Sequence, residues 1–289
     1  MNAIIDLGSN SVRLMLTGKS FAKMSKVTRI AEGLSTTGIL CDAAMDRTLA
    51  VLEDYVIYAK QAGAHNIYIF ATEAIRAAKN SHEFLKKVLQ KIGIEIDVMS
   101  GNDEALCGFL GAVSGQSEKG QFLGVVDIGG ASTEISIGKN NEITYSKSLS
   151  IGTVRLRDLF GLDRKALEKY IKETIQNYGQ SKADKFVGIG GTFTSLSSML
   201  LKLKQYDPKI VDNSIIKLKA LNTLVNELWI KSDQEIYESY PTLGIERAKV
   251  IRYGAVLAQS IMKMLNIENI TVSEKDNMEG YCIYKKIPY

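Results

Sequence analysis

Cysteine, proline, histidine and tryptophan are all scarce in this sequence. Among 289 residues there are three cysteines, three prolines, two histidines and one tryptophan. The cysteines, Cys41, Cys107 and Cys282, lie far apart and form no Cys-x-x-Cys motif, which argues against a disulfide framework and against a structural zinc site. So few cysteines suit a reducing compartment, and so few prolines fit dense regular secondary structure.

Long apolar runs and a strong excess of either charge are also absent. No apolar run reaches about 18 residues, so we expect no membrane span. Asp6 interrupts the only apolar stretch near the start, which leaves residues 1–5 too short for the core of a signal peptide. Basic residues number 36 against 32 acidic ones, and a net charge of +4 is too small to predict binding to nucleic acid or to membranes. We therefore expect a cytoplasmic protein of about two domains, at roughly 150 residues each.

A stretch near the start of the chain is repeated in its middle. Residues 3–16 (AIIDLGSNSVRLML) align without a gap on residues 124–137 (GVVDIGGASTEISI). Asp6 falls on Asp127, at a constant offset of 121 (127 − 6). In each copy a short apolar run is followed by a turn of small residues and then by an alternating run, which is the pattern of a β-hairpin.

The elements predicted after each hairpin also correspond. After the first hairpin the pattern indicates strands over 21–30, 66–71 and 94–99, and helices over 42–62 (with Asp42 as its N-cap), 81–92 and 103–113. After the second it indicates strands over 143–148, 185–189 and 269–273, and helices over 154–160, 164–178, after 192, and over 218–230, 246–265 and 278–286. Both halves therefore read β-β-β-α-β-α-β-α, with extra helices in the second. We predict two related α/β domains with a cleft between them and a seam at 114–120.

Each hairpin turn has the composition of a phosphate-binding loop. Glycines and small polar residues expose successive backbone N–H groups, which can bind phosphate oxygens. The candidate phosphate-binding residues of the two turns are Gly8, Ser9, Asn10, Ser11, Gly129, Gly130, Ser132 and Thr133. One such turn is explained as well by ordinary hairpin chemistry, but two copies facing each other across a cleft favour phosphate binding.

A third glycine loop strengthens this interpretation. Residues 186–195 (FVGIGGTFTS) run from a strand through a glycine turn into a helix. Gly190, Gly191 and Thr192 then lie at a helix N-terminus, where anions bind well. The loop is not Gly-x-Gly-x-x-Gly, and the chain has no Gly-x-x-x-x-Gly-Lys-Ser/Thr P-loop.

Seven short blocks follow one another in an order typical of one protein family. They are IDLGSNS (5–11), RIAEGL (29–34), ATEAIR (71–76), SGNDEA (100–105), DIGGASTE (127–134), IGTVRL (151–156) and GIGGT (188–192). This series closely resembles the exopolyphosphatase/guanosine pentaphosphate phosphohydrolase (Ppx/GppA) family, and the resemblance covers almost the whole chain. The sequence departs from the family pattern at three places. Ala131 stands where the second loop usually has a third glycine, Arg247-Ala-Lys249 where the family tends to show Arg-Ala-Asp, and Met278 where an arginine commonly precedes Glu-Gly.

The resemblance implies a fold and an activity. The fold is the actin-like ATPase (ribonuclease H-like) fold, with residues 1–118 and a returning segment 276–289 in the first domain, residues 119–275 in the second, and the active site between them. The activity is Mg²⁺-dependent hydrolysis of the terminal phosphoanhydrides of polyphosphate or of guanosine pentaphosphate (pppGpp). Homodimerisation is common in the family, so the sequence leaves a homodimer open.

Glu104 and Glu134 match the family's catalytic pair of carboxylates. Glu104 opens a predicted helix, whose N-terminus would keep its carboxylate ionised and ready to accept a proton from water. The alternative is a first-turn glutamate that only interacts with the helix dipole. Glu134 follows the second glycine turn and would position water or metal, and its alternative is an exposed glutamate on a strand.

The remaining candidates are charged residues close to the loops. Asp127 is the first choice for a Mg²⁺ ligand and Asp6 the second, since this cation prefers one or two carboxylates together with phosphate oxygens. Arg76 is predicted in a loop, where it could bind phosphate through two hydrogen bonds or serve as a surface arginine. Arg13 aligns with Glu134 in the repeat and is expected near the mouth of the first loop.

We interpret the sequence as that of a Mg²⁺-dependent exopolyphosphatase, with pppGpp as the alternative substrate. Two other classes stay open. One is an ATP-dependent kinase of the same superfamily, because the phosphate loops are shared architecture. The other is a nucleotide-gated scaffold of the actin type. The block around Glu104 separates the hydrolase from the kinase, because it resembles the hydrolase family specifically. The scaffold ranks last, because the sequence offers no identifiable polymerisation segment.

Overall fold

Two mixed β-sheets form the framework of the molecule, for which the computed structural model describes residues 1–18, 23–115, 120–140, 142–179 and 182–289. The strands of the first sheet are β1 (Asn2–Leu7), β2 (Ser11–Leu16), β3 (Lys23–Val27), β4 (Asn66–Ala71) and β5 (Ile96–Val98). Their order is β3-β2-β1-β4-β5. β2 pairs antiparallel with β1 and β3, whereas β4 lies parallel to β1 and β5 parallel to β4.

The second sheet repeats this arrangement. Its strands are β6 (Leu123–Ile128), β7 (Thr133–Lys139), β8 (Glu142–Leu149), β9 (Lys185–Ile189), β10 (Ile215–Lys217) and β11 (Asn269–Val272). Their order is β10-β11-β9-β6-β7-β8, so β8-β7-β6-β9-β11 corresponds to β3-β2-β1-β4-β5, and β10 is added antiparallel at the edge. This five-strand order is the ribonuclease H-like topology, and its presence twice confirms the predicted actin-like α/β fold.

The repeat read from the sequence is also a repeat of hairpin register. Asp6 lies opposite Arg13 in the β1–β2 hairpin, and Asp127 lies opposite Glu134 in the β6–β7 hairpin. Both pairs are related by the offset of 121 residues found in the alignment. The register of a hairpin is fixed by its turn, and the equivalent tight turns of the two hairpins place their turn residues at the same end of both sheets.

Thirteen α-helices occur in the described residues. They are α1 (Leu34–Thr37), α2 (Asp42–Gln61), α3 (Glu73–Ala77), α4 (Ser81–Ile92), α5 (Gly101–Ser114), α6 (Thr153–Phe160), α7 (Arg164–Ile175, continued by a 3-10 turn over Gln176–Tyr178), α8 (Gly190–Leu200), α9 (Pro208–Val211), α10 (Leu218–Ile230), α11 (Asp233–Ser239), α12 (Ile245–Met264) and α13 (Asn277–Tyr284).

Long periodic segments are predicted well and short ones are missed. β4, α4, β9 and α10 have the predicted bounds, and α4 ends at Gly93, whose φ of 75° suits glycine. The predicted N-cap Asp42 is instead the first residue of α2, and Cys41 occupies the cap. The predicted loop around Arg76 contains the short helix α3. Part of the strand predicted over 21–30 and most of the seam at 114–120 lie outside the described residues.

Each sheet carries its own apolar core on its helical side. In the first half, strand residues such as Ile5 and Leu14 pack with Leu52 of α2 and Phe84 of α4. In the second, α8, α10 and α12 cover β6 and β9 in a larger cluster. Complete burial of one such side chain stabilises the fold by about 1.5–3 kcal/mol. These cores hold the hairpin turns in place.

Helices α5 and α13 cross between the two sheets. α5 packs on β6, β7 and β8 of the second sheet, whereas α13 packs on α5 and on β1. Tyr281 of α13 stacks on Phe70 of β4 with ring centroids 4.6 Å apart, in a cluster that includes Ile4 and Met15. The division into residues 1–118 with 276–289 and residues 119–275 stays a prediction, and its boundary after residue 118 falls outside the described residues.

Within the ranges that the structure describes, no helix is long and apolar enough to cross a membrane.

Candidate active site

The turns of both hairpins and the third glycine loop meet around one cavity of about 90 Å³ between the sheets. This volume is well below that of a site for a drug-sized ligand and suits a small anion such as a phosphoryl group. The predicted residues that line it are Asp6, Gly8, Ser9, Asn10, Ser11, Arg13, Glu104, Asp127, Gly129, Gly130, Ser132, Glu134, Gly190, Gly191 and Thr192. Two predicted residues, Arg76 and Thr133, do not line it.

The two hairpin turns have the same local geometry. The Gly8 N–H donates to the Ser11 carbonyl over 3.1 Å, and the Gly129 N–H donates to the Ser132 carbonyl over 3.0 Å. The turns also touch each other, because a Cβ on Gly130 would lie 2.8 Å from the Cβ of Ser9. Ala131 has no positive φ, so the absence of the third glycine is accommodated without backbone strain.

The third loop completes the wall of the cavity. Gly190 has a φ of +77°, and a Cβ there would lie 2.6 Å from Asp127 Oδ1, so both the backbone and the space require glycine. Helix α8 begins at this residue without a side-chain cap, which leaves its first N–H groups available to an anion. The Thr192 hydroxyl donates to the Ile128 carbonyl over 2.7 Å and so anchors the loop to β6.

Thr133 stabilises the fold and does not line the cavity. It is fully buried, and its hydroxyl donates to the Ile151 carbonyl over 2.6 Å. The prediction that it donates to phosphate is therefore not supported by its position. Alternation along β7 explains this, because Thr133 and Glu134 point to opposite faces of the sheet.

The equivalent positions of the two hairpins carry opposite kinds of charge pair. In the first, Arg13 Nε donates to Asp6 Oδ2 over 2.9 Å, and the guanidinium also pairs with Asp276. In the second, Asp127 faces Glu134, two like charges that disfavour each other across a strand pair. Burial and this repulsion raise the pKa of Asp127 well above its ordinary value. The two hairpins therefore share the same backbone arrangement, but one carries a pair of opposite charges and the other a pair of like charges.

Burial raises the pKa of Glu134 to about 7. Hydrogen bonds from Ser148 and Ser132 and the nearby Arg76 act in the opposite direction but do not cancel the effect. The Ser148 hydroxyl donates to Glu134 Oε1 over 2.7 Å and fixes the carboxylate. The alternative of an exposed strand glutamate is therefore wrong, since the residue is only 3% exposed.

Glu104 is buried in the same wall, four residues into α5. Burial and the charge of Glu134 raise its pKa well above the usual value. Desolvation thus opposes the predicted effect of the helix N-terminus on this carboxylate. The first-turn role falls to Asp103, whose pKa is lowered by a hydrogen bond from the Ser100 hydroxyl at the N-cap.

Arg76 lies behind Glu104. Both terminal nitrogens of its guanidinium lie 3.3 Å from Glu104 Oε2, and its Nε donates to Glu73 Oε2 over 3.1 Å. Its position on helix α3 turns the side chain toward these carboxylates and away from the cavity wall. The structure therefore places Arg76 as a partner of Glu104, in contrast to the predicted direct contact with phosphate.

Five residues that were not predicted also line the cavity: Thr72, Ile128, Thr153, Arg247 and Asn277. Burial and the nearby charge of Arg13 lower the pKa of Arg247 to about 10. Its guanidinium lies over Gly191, and among the described residues no hydrogen bond or ion pair engages it. An arginine in this setting is suited to an anion that enters the cavity. Arg247 and Asn277 are far from the loops in sequence. Arg247 begins the Arg247-Ala-Lys249 segment, where the family tends to show Arg-Ala-Asp, and this resemblance is the signal that could have found it, whereas Asn277 lies in none of the seven blocks.

The carboxylates offer a partial site for a divalent cation. Asp6 Oδ1 is buried without a hydrogen-bond partner, and Asp127 lines the same cavity. In the described parts of the chain no group of three or more protein ligands is arranged to hold a metal alone. Magnesium typically takes one or two carboxylates and completes its shell with phosphate oxygens and water. The residues present therefore fit Mg²⁺ together with a phosphate.

Comparison with known proteins identifies the family. A profile of the Ppx/GppA phosphatase family matches residues 17–288, and the chain belongs to this family. It is 31% identical, over 97% of its length, to the bifunctional 3-dehydroquinate synthase/phosphatase of Fusobacterium nucleatum, and 30% identical, over 98%, to the guanosine-5'-triphosphate,3'-diphosphate pyrophosphatase of Aliivibrio fischeri. It spans 46% and 58% of the length of those two proteins. It is 27% identical to exopolyphosphatase 2 of Mycobacterium tuberculosis, with 97% of each chain covered.

Solved structures agree in fold. The chain superposes on the Aquifex aeolicus member of the Ppx/GppA family with a TM-score of 0.79 and 26% identity, covering 99% of this chain and 97% of that one. An exopolyphosphatase from Cytophaga hutchinsonii gives a TM-score of 0.89 at 23% identity, with 99% and 98% covered. The second likeness is one of fold alone.

Proposed function

We propose that this protein hydrolyses the terminal phosphoanhydride bond of inorganic polyphosphate. One observation carries the proposal: two buried carboxylates, Glu104 and Glu134, line the same small cavity as three glycine loops that can bind phosphate. A full-length match to an exopolyphosphatase of similar size supports polyphosphate as substrate. The 30% identity to a pppGpp-directed relative, over part of that protein, makes pppGpp the second candidate.

The three glycine loops and Arg247 would bind the terminal phosphoryl group. Backbone N–H groups of both hairpin turns and of the α8 N-terminus would donate to its oxygens. Arg247, which is free of protein partners in the described part of the chain, would neutralise charge at the cavity wall. These contacts stabilise a transition state in which negative charge is spread over the phosphoryl oxygens.

The carboxylate pair would orient and deprotonate the attacking water. Glu104 would accept its proton, and Glu134, held by Ser148, would orient the water. Raised pKa values make these carboxylates better bases than ordinary glutamates, because the ideal pKa of a general base lies near the working pH. Arg76 would position Glu104 through its guanidinium.

Asp127 and Asp6 would hold Mg²⁺ together with phosphate oxygens. The cation, when bound, supplies charge neutralisation at the phosphate. Asp127→Asn should weaken Mg²⁺ affinity by more than the roughly 10–100-fold typical of losing a residue that only supports a metal ligand. Titration of the protein with Mg²⁺, and assay in excess chelator, measure this. Undiminished hydrolysis in chelator would contradict the assignment.

The central experiment compares substrates side by side. Phosphate release from long polyphosphate, pppGpp and ATP is measured with Mg²⁺ present, and an acceptor-dependent transfer from ATP is scored separately. We expect release from polyphosphate to be fastest. Release from neither polyphosphate nor pppGpp would overturn the proposal, and transfer from ATP would favour the kinase alternative. A cytoplasmic location and a homodimer stay predictions, tested by fractionation and by light scattering.

A further inference from the structure

The start of the last helix reaches an aspartate from each half of the molecule. Asp276 is the N-cap of α13 and Asn277 is its first residue. Asn277 Nδ2 donates to Asp127 Oδ2 over 2.8 Å. Asp276 accepts from Arg13, which also donates to Asp6. Two consecutive residues thus connect to both candidate metal ligands.

The backbone at this helix start is held firmly. The Asp276 side chain accepts from the Met278 N–H over 3.0 Å, and the Glu279 side chain accepts from the Asp276 N–H over 3.0 Å, which is a reciprocal capping box. Lys23 Nζ from β3 donates to Glu279 over 2.8 Å. Because these bonds satisfy the helix start, the Asn277 amide is not needed for capping.

Glycines let α13 approach α5 closely enough to bring this amide to the site. A Cβ on Gly108 would lie 2.9 Å from Asn277 Oδ1, and a Cβ on Gly111 would overlap the Asp276 carbonyl oxygen. From the other side, a Cβ on Gly280 would overlap the Cys107 carbonyl oxygen. α5 also carries Glu104, so the pair of helices α5 and α13 places both Glu104 and Asn277 at the cavity.

Of the two ends of the Asn277 amide, only the NH₂ group makes a hydrogen bond within the described part of the protein. The residue is 5% exposed and lines the cavity, and its Oδ1 is buried without a partner among the described residues. An unpaired buried acceptor destabilises the folded protein, so stability alone does not explain the choice of asparagine. The donor must face Asp127, because an ionised carboxylate only accepts hydrogen bonds.

We propose that Asn277 is a positioning residue that holds the Asp127 carboxylate for divalent cation and phosphate. With Oδ2 fixed by the amide, Oδ1 is directed toward Gly190 of the third glycine loop, where a Cβ would lie 2.6 Å away. A carboxylate fixed in advance loses less freedom when it binds a cation. The proposal rests on the proposed function for its kinetic consequences.

Asn277→Leu tests this, because it keeps the size of the side chain and removes the donor. Mg²⁺ binding to the protein is measured by calorimetry with inorganic phosphate present, alongside kcat, KM for polyphosphate and melting temperature. We expect Mg²⁺ affinity and kcat to fall about 10–100-fold, the usual effect of losing a hydrogen bond to a metal ligand, with KM nearly unchanged. Asn277→Asp, which exchanges the donor for an acceptor, is the second variant and should behave alike.

Asn222→Leu is the matched control. Asn222 lies on α10 and accepts from Gln259 over 2.7 Å, so the same substitution removes a hydrogen bond away from the cavity. It should lower stability without changing Mg²⁺ affinity. Wild-type Mg²⁺ affinity in both Asn277 variants would overturn the proposal, as would a wild-type protein that binds no Mg²⁺. If the wild type hydrolyses neither candidate substrate, the proposed function fails, while calorimetry still decides the role of Asn277.

Discussion

Single residues show where sequence reasoning about this site succeeds and where it ends. Asp6 and Asp127 are found because they repeat at a fixed spacing beside glycine turns, and the structure brings them to one cavity. Arg247 and Asn277 reach the same cavity from helices more than fifty residues beyond the last loop. Arg247 is marked only by the resemblance of its Arg-Ala-Lys segment to the family's Arg-Ala-Asp, and nothing local distinguishes Asn277 from an ordinary helical residue. Burial, which sets the raised pKa values of Glu104 and Glu134, is likewise a property of the packed molecule.

Glu104→Gln should slow turnover while leaving phosphate binding intact. Glutamine has nearly the same shape but cannot accept a proton, and a general base typically contributes about 10²–10⁴-fold, with the lower end expected for a loose transition state. The measurement is kcat on polyphosphate, with the melting temperature as a check on folding. Asp103→Asn is the control, since its hydrogen bond from Ser100 belongs to the helix start. Retention of more than about a third of wild-type turnover by Glu104→Gln would contradict the general-base role of Glu104.

Arg76→Ala should lower both stability and kcat. The substitution leaves buried Glu104 without its cation, which costs about 1–3 kcal/mol for a group of this kind, while Glu73 keeps Arg155 as a partner. Arg164→Ala, which breaks an exposed pair with Glu168, should cost less than about 1 kcal/mol. Thermal melts and steady-state kinetics on both variants measure the difference. A raised KM with unchanged kcat and melting temperature would instead indicate that Arg76 contacts phosphate directly.

At the scale of elements, predictability follows length and periodicity. β4, α4 and α10 are recovered at their bounds because each has several turns or alternations and clear end signals. The short elements α1, α3, α9, α11 and β10 are missed, because three to seven residues carry too little pattern. The omission of α3 matters most, since it alone turns Arg76 toward Glu104. The crossing of α5 and α13 depends on glycines that single-helix periodicity does not reveal.

Gly111→Ala tests that crossing. The added Cβ would overlap the Asp276 carbonyl, so the helices must separate, and overpacking of this kind typically costs about 1–3 kcal/mol. Gly115→Ala, at the end of the same helix, places its Cβ 3.4 Å from Lys275 Cδ, an ordinary contact, and should be nearly neutral. Chemical denaturation of both variants measures the difference. Equal stability of the two would show that the helices do not need a glycine at position 111.

The whole molecule concentrates buried negative charge at one place. The pKa values of Asp6, Glu104, Asp127 and Glu134 are all raised by burial. An acid whose pKa is higher in the folded than in the unfolded protein binds its proton more tightly when folded. Its contribution to stability is therefore full below the unfolded value and is lost as the pH rises toward the folded value. For Glu134 that window runs from 4.5 to about 7.

The metal-free protein should consequently melt at a higher temperature at about pH 5.5 than at about pH 7.5, a range that spans most of the Glu134 window. Glu134→Gln should reduce this difference, because glutamine does not titrate, and Mg²⁺ should raise the melting temperature more at the higher pH. Melts in chelator at the two pH values, with and without added Mg²⁺, provide the data. A melting temperature that increases with pH to the same extent in wild type and variant would contradict the assignment.

The packing of α13 on the first sheet means that residues of one core are synthesised at very different times. Ile4, Met15 and Phe70 are synthesised early, yet Met278, Tyr281 and Cys282, which cover them, emerge only after the second half. From Ala71 to Asn277 the ribosome must add 206 residues (277 − 71), which takes about 10–40 s at the usual rate of synthesis. During that interval one apolar face of the first sheet has no cover from this helix. This face of the first sheet is therefore exposed to aggregation in the growing chain until α13 has been made.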